Sequence, residues 1–473
     1  MAPTLITVAA IASRMMKREK DRSRLNATRR AMKAGTFILY VREFTYLLAM
    51  NRNIFFSLLI ILFTGGRGNA QTPDFTYSPT IGAAQLFTAG NQLGYPIIRL
   101  NSPDQLELHF DDIDESVKNY YYAIVLCNED WTPAEVTEFD YIKGFNQIRI
   151  ENYRISSVAL THYVHYTATI PDPNCVPIHS GNYLLKVFLD GDTSKLAFTR
   201  RFLVTDAKVK IQSQLLTPQN FELAHTYQNI QFRLNVSAVN PPNPLDQVRV
   251  VVMQNYRWDN AIHGVKPRVY FNSDLQYNGA DDFNFEGGSE WRWADLQSFR
   301  FQSDRVLTAN YGKTSTDIFL KPDVDRSQRE FYFYKDYNGG YILQTQEAYS
   351  AQYQTDYATV HFIFVPGGNI PLDNKDVYLL GRFTGGGLND STKMVWNDEK
   401  RIYERNFRMK QGFYSYSYVA VDRNDPAMKG SFAQTEGNHV ESENDYMILV
   451  YYRALGARAD ELIGITRFNS LNK

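Results

Sequence analysis

The chain has 473 residues, too many for one hydrophobic core to serve, so about two to four domains are expected. Hydrophobic residues at 44% exclude a disordered chain, and 32 Tyr and 30 Phe favour strands, because flat rings pack well on a pleated, half-buried surface. The net charge of −1 divides unevenly: residues 1–70 hold 12 Lys/Arg and 3 Asp/Glu, a net of +9, which leaves −10 on residues 71–473. An acidic body argues against nucleic-acid binding, which needs a basic face to neutralise phosphates.

The first element in chain order is an export signal. Residues 50–71 read MNRNIFFSLLIILFTGGRGNAQ, with Arg52 ahead of an apolar run from Ile54 to Phe63 and small residues up to Ala70. That run is too short to span a bilayer of about 30 Å, and it fits a secretory signal peptide over 50–70, cut between Ala70 and Gln71. Translation is expected to start at Met50, with residues 1–49 an upstream extension of the gene model. Gln71 follows the cut where a lipid anchor would need Cys, and nothing later in the sequence reaches transmembrane length. The two cysteines, Cys127 and Cys175, could pair in an oxidising periplasm, or Cys127 could be a buried free thiol in its strand.

Alternation then dominates. Gln105–Phe110 puts Leu106, Leu108 and Phe110 on one face and polar residues on the other. Tyr120–Cys127, Tyr163–Ile170, Tyr183–Leu189 and Phe198–Val204 are further β-rich runs, separated by clusters such as Pro171-Asp172-Pro173-Asn174. Short strands at this spacing predict a sandwich rather than βαβ units. Gly181-Asn182-Tyr183, Gly339-Gly340-Tyr341 and Gly412-Phe413-Tyr414 are three turns that feed aromatic-led strands, the first and third reading best as Ig-like corners. A second strand set opens at Val209, and Gln247–Met253 is a clear strand within it. A third begins near Ser350, with its last strand near Met447–Tyr452. The expected fold is all-β, tandem Ig-like or E-set-like β-sandwich domains at 71–206, 207–349 and 350–473.

Signals for chemistry are weak. Gly381–Gly387 is Gly-rich but lacks the Lys-Ser/Thr and the following helix of a phosphate loop. His162 and His165 lie three apart on a strand, which aims them at opposite faces, so they read as polar surface side chains rather than metal ligands. Asp111–Glu115 lacks the ligand spacing and turn glycine of a calcium loop and reads as a solvated acidic turn. With no nucleophile elbow, the expectation is a non-enzyme without cofactor, metal or small-molecule substrate. Trp131, Trp258, Trp291, Trp293 and Trp396 are candidate interface aromatics, and they carry the alternative reading, a carbohydrate-binding exported β-sandwich protein.

Longer segments carry a resemblance. QLELHFDDIDESVKNYYYAIVLCNEDWTPAEV (Gln105–Val136), GFNQIRIENYR, SGNYLLKVFLDGD, VVVMQNYRWDNAI, LQSFRFQSDRV and the terminal EGNHVESENDYMILVYYRALGARADELIG resemble the plug protein family of the type IX secretion system. The resemblance runs from about Phe87 to Ile465. It implies a periplasmic all-β protein, associated with the outer membrane, that closes the mouth of the type IX translocon barrel by protein–protein contact. It carries over no catalytic residue.

Overall fold

Leu106, Leu108 and Phe110 lie fully buried on the strand Leu106–Asp112, on the face that their alternation assigns to the core. The computed structural model in which they sit describes residues 73–471. The extension at 1–49, the signal segment at 50–70 and the cleavage pair Ala70 and Gln71 lie outside the described residues.

That strand belongs to a four-stranded sheet with Ile81–Thr88, Val164–Ile170 and Asn152–Ile155. A five-stranded sheet covers it: Ile97–Arg99, Leu196–Thr205, Gly181–Leu189, Tyr120–Cys127 and Ile148–Arg149. Between the sheets, Phe110 stacks on Tyr166 at 5.0 Å and meets Tyr120 and Phe198 edge-on. Burying each such ring contributes roughly 1.5–3 kcal/mol, which is how a Tyr- and Phe-rich chain builds its core.

The second sandwich draws on two distant parts of the chain. One sheet pairs Lys210–Leu216, Tyr227–Asn235, Asp274–Tyr277 and Val269–Phe271. The other sets Val248–Gln254 against Asp445–Tyr452, which in turn pairs with Glu461–Asn469. Val250, Val252, Ile448 and Val450 share its core with Ile230, Phe232 and Leu234. The third sandwich lies between these halves in sequence. Arg292–Asp295 and Lys375–Leu380 pair with Phe413–Asp422, and Thr316–Leu320 runs parallel to Tyr357–Val365, which pairs with Ile402–Lys410.

Sheet pairing therefore crosses the expected line at 349/350, and the strand expected to close the third unit, near Met447–Tyr452, is a strand of the second. The physical reason is that compositional breaks mark loops, whereas a β-sheet accepts a partner strand from any distance along the chain. The chain leaves the second sandwich after Asn284–Glu286, builds the third, and returns at Asp445. Two of the Gly-aromatic turns meet here: Tyr341 stacks on Tyr414 at 5.3 Å. Gly339, at φ 75°, permits the tight approach, since a Cβ there would lie 2.7 Å from the Trp291 ring.

Candidate interaction surfaces and buried charge clusters

The polar face of Leu106–Asp112 is not solvated. Asp111 and Asp112 are fully buried and only Asp114 and Glu115 reach solvent, so the acidic turn expected at Asp111–Glu115 is half a buried charge cluster. His165 Nδ1 sits 2.6 Å from Asp111 Oδ1, and its Nε2 lies 3.1 Å from His109 Nδ1. His162 is exposed as expected, but His165 is buried, because the third sandwich covers the outer face of this sheet.

From that third sandwich, Lys410 Nζ donates to Asp111 Oδ2 at 2.6 Å and to the Gln352 carbonyl at 2.6 Å, and it lies 4.2 Å from the Tyr163 ring centre. Tyr357 adds its hydroxyl to Asp111, while Tyr163 donates to the Thr355 carbonyl at 2.9 Å. Burial opposes the Asp111 charge, but Lys410 and His165 outweigh it and hold the carboxyl below its usual range. Burial lowers Lys410, and Asp111 offsets part of that. His109, buried and beside His165, is pushed down to about 4, so it is neutral at neutral pH.

A second network holds the third sandwich. Arg292 bridges Glu436 at 3.0 Å and Asp323 at 3.1 Å, and Arg326 reaches Glu436 at 2.5 Å. Burial pushes Glu436 up, but Arg292 and Arg326 outweigh it and bring the carboxyl down to about 2. A third network joins the first and second sandwiches: the Tyr451 hydroxyl donates to Asn182 Oδ1 at 2.7 Å, and Arg453 Nε donates to Asp460, which also accepts the Glu129 N–H. Beside it Leu203 packs with Val251, Met253, Leu449 and Leu462.

The residues nominated from sequence have other roles. Cys127 and Cys175 are separate free thiols, not a disulfide. Cys127 pairs across its strand with Asn182 in the five-stranded sheet, whereas Cys175 pairs with Gly144 in a small two-stranded one, and burial pushes both thiols up to about 12. None of the five tryptophans is among the exposed large apolar side chains. Trp131 and Trp258 meet edge-on at 4.8 Å with the Arg201 guanidinium over both rings at 4.9 Å, Trp291 is core, Trp293 stacks on Phe413, and Trp396 packs on Tyr403. Large rings are where a sandwich core finds its volume; Trp291 is buried and the other four are partly buried against these neighbours. Gly381–Gly387 folds into one short 3-10 turn, Arg382–Thr384, whose Arg382 lies over the Tyr95 ring.

The open surface is carried by other side chains. Phe139 is 85% exposed and Phe145 73%, on either side of the short strand Ile142–Gly144, and Val158 is 86% exposed. Two edge strands, Asn152–Ile155 and Val269–Phe271, are exposed along their length, with Tyr153, Ile155, Tyr270 and Phe271 turned to solvent. Single exposed apolar residues are ordinary, but unpaired strand edges that also carry aromatics are templates for a partner. Alternation reveals a strand but not which strand ends at an edge, so neither was legible beforehand.

Residues 81–206 match a family described as type 9 secretion system plug protein 1st domain. A crystal structure of a hypothetical protein from Parabacteroides merdae superposes with a TM-score of 0.81 at 27% identity, over 84% of this chain and 100% of that one. Pseudomonas fluorescens alkylpurine DNA glycosylase AlkC, bound to DNA containing an abasic site analog, aligns with a TM-score of 0.16 and 10% identity, over 26% of this chain and 30% of that one, and carries no argument. No curated protein matches.

Proposed function

We propose that this chain, whose residues 81–206 match the type 9 secretion system plug protein first domain, is a non-enzymatic periplasmic stopper that seals the type IX translocon barrel at the outer membrane by protein–protein contact. The family match carries the reading, and the physics of the fold supports it. A stopper must resist deformation, and the three sandwiches are joined through buried ion pairs and apolar contacts. A stopper must also leave when substrate arrives. Scattered apolar side chains and short exposed edges suit a contact on the order of a thousand Å² with a polar rim, rather than the apolar face of an obligate complex. Phe139, Phe145 and Val158, all inside the matched domain, are the anchors of that contact.

The test is affinity purification of the tagged protein from detergent-solubilised outer membrane, followed by mass spectrometry. Stoichiometric recovery of the barrel is expected, with at least a tenfold loss for the Phe139→Ser/Phe145→Ser double variant, about 1.4 kcal/mol or more. Recovery of the protein alone, under conditions that keep the barrel intact, would remove the proposal.

A further inference from the structure

Three carboxylates from distant parts of the chain meet where the second sandwich hands over to the third. Glu290 lies between Asn284–Glu286 of the second and Arg292–Asp295 of the third. Glu443 lies two residues before the returning strand Asp445–Tyr452, and Asp336 comes from a loop of the third sandwich. One oxygen from each lies within 4.8 Å of the others. Two oxygens on opposite sides of a calcium ion, each about 2.4 Å away, are about 4.8 Å apart, so this spread fits a single coordination sphere.

Repulsion alone would drive such a group apart, and the local partners do not neutralise it. Asp336 accepts the backbone N–H of Trp291 and of Asn338, and Glu443 accepts side-chain amides from Asn338 and Asn469. All of these donors are uncharged. Arg326, which faces the cluster, is already bound to Glu436 and the Tyr334 hydroxyl. Lys335 also borders it, and among the described residues no ion pair joins Glu290, Asp336 or Glu443 to a cation.

Two unsatisfied oxygens point independently to a ligand. Glu290 is 1% exposed; its Oε1 accepts the Glu443 N–H at 3.1 Å, while its Oε2 is buried without a hydrogen bond. Asn338 is 8% exposed and donates its amide to both oxygens of Glu443, which leaves its Oδ1 buried and without a partner. Nothing donates to either of these buried oxygens, and unsatisfied buried acceptors beside three gathered carboxylates call for a cation. An open pocket of about 530 Å³, bordered by Asp336, Asn338, Glu443, Asp445 and Asn469, connects the cluster to solvent.

We propose that Glu290, Asp336 and Glu443, with Asn338 Oδ1, form a calcium site that ties together the outgoing and returning crossings between the second and third sandwiches. The donor set is entirely hard oxygen, which selects calcium or magnesium over zinc or copper. Side chains from three irregular segments suit the flexible shell of calcium better than the strict octahedron of magnesium.

The test uses the full mature chain after treatment with a chelator. Calcium is expected to raise Tm by several degrees, and elemental analysis after desalting should find one equivalent bound. Terbium in its place should luminesce under excitation of tryptophan, since Trp291 adjoins Glu290. Glu290→Gln keeps the side-chain shape and removes one charge. It should abolish the calcium shift yet leave Tm in chelator equal to or above that of the parent, whereas a merely structural role for Glu290 would lower Tm in both. No shift and no bound metal in the parent, or a full shift retained in Glu290→Gln, would overturn the site. An equal shift from the same concentration of magnesium would overturn the assignment to calcium.

Discussion

Lys410 and Asp111 are each fully buried, 299 residues apart in sequence, and joined at 2.6 Å. Such a pair adds little net stability over an apolar one, but removing one partner strands the other charge in a low-dielectric interior. Lys410→Met should therefore cost about 3–5 kcal/mol, read from urea unfolding, and adding Asp111→Asn should recover part of the loss. If the single variant unfolds like the parent, the pair is not the lock between the first and third sandwiches. His109 supplies a pH dependence. Its folded pKa of about 4 lies below the ordinary 6.5, so between these values the unfolded chain takes up a proton that the folded one refuses. Its contribution to stability is complete above about pH 6.5 and is lost as pH falls towards 4, with a slope of up to about 1.4 kcal/mol per pH unit. His109→Gln should flatten the fall in urea midpoint between about pH 7 and about pH 4.5, and an unchanged slope would assign the effect to another group.

At the scale of strands, partnership rather than position in the chain decides what folds. Phe413–Asp422 takes partners at Arg292–Asp295, Tyr341–Ile342 and Lys375–Leu380. A fragment of residues 350–473 would lose two of these and would carry the hairpin Asp445–Asn469 without Val248–Gln254, against which it pairs. That fragment should show no cooperative thermal transition and no near-ultraviolet circular dichroism. A fragment of residues 288–444, which keeps the strands of the third sandwich together, should show both. The reverse outcome would mean that the inserted arrangement is not the folding unit. Alternation did identify Gln105–Phe110 as a strand, since period two survives whatever the partner is, and the apolar run Gln247–Met253 is a strand as read.

For the molecule as a whole, the junctions matter more than any one sandwich. Asp111 with Lys410 ties the first sandwich to the third, Asn182 with Tyr451 ties the first to the second, and the Glu290 cluster spans both crossings between second and third. Each sandwich is thus fastened to both others by largely buried polar groups. That arrangement suits the proposed stopper, and exposed apolar side chains lie outside it, on Phe139, Phe145 and the exposed strand edges. The loss of barrel recovery expected from the Phe139/Phe145 variant belongs to this scale, because those side chains are mostly exposed.

The sequence by itself determined the β class, the face of each clear strand and the lack of a nucleophile motif, because period-two alternation and motif spacing are local properties of the chain. The segments between Gln105 and Asp192 also carried the resemblance, and they lie within residues 81–206, which match the first-domain model of that family. Only the tertiary structure decided the rest. Asp111 read as a solvated turn residue and His165 as a surface histidine, since nothing near either announces that the sandwich carrying Lys410, 299 residues beyond Asp111, will pack over them. The same holds for Trp131 and Trp258, which come from two loops and meet under Arg201 of the strand Leu196–Thr205, and for Glu290, Asp336 and Glu443, which have no shared spacing. Burial of a polar group depends on what packs over it, and in a fold with one sandwich inserted into another the covering group is remote in sequence.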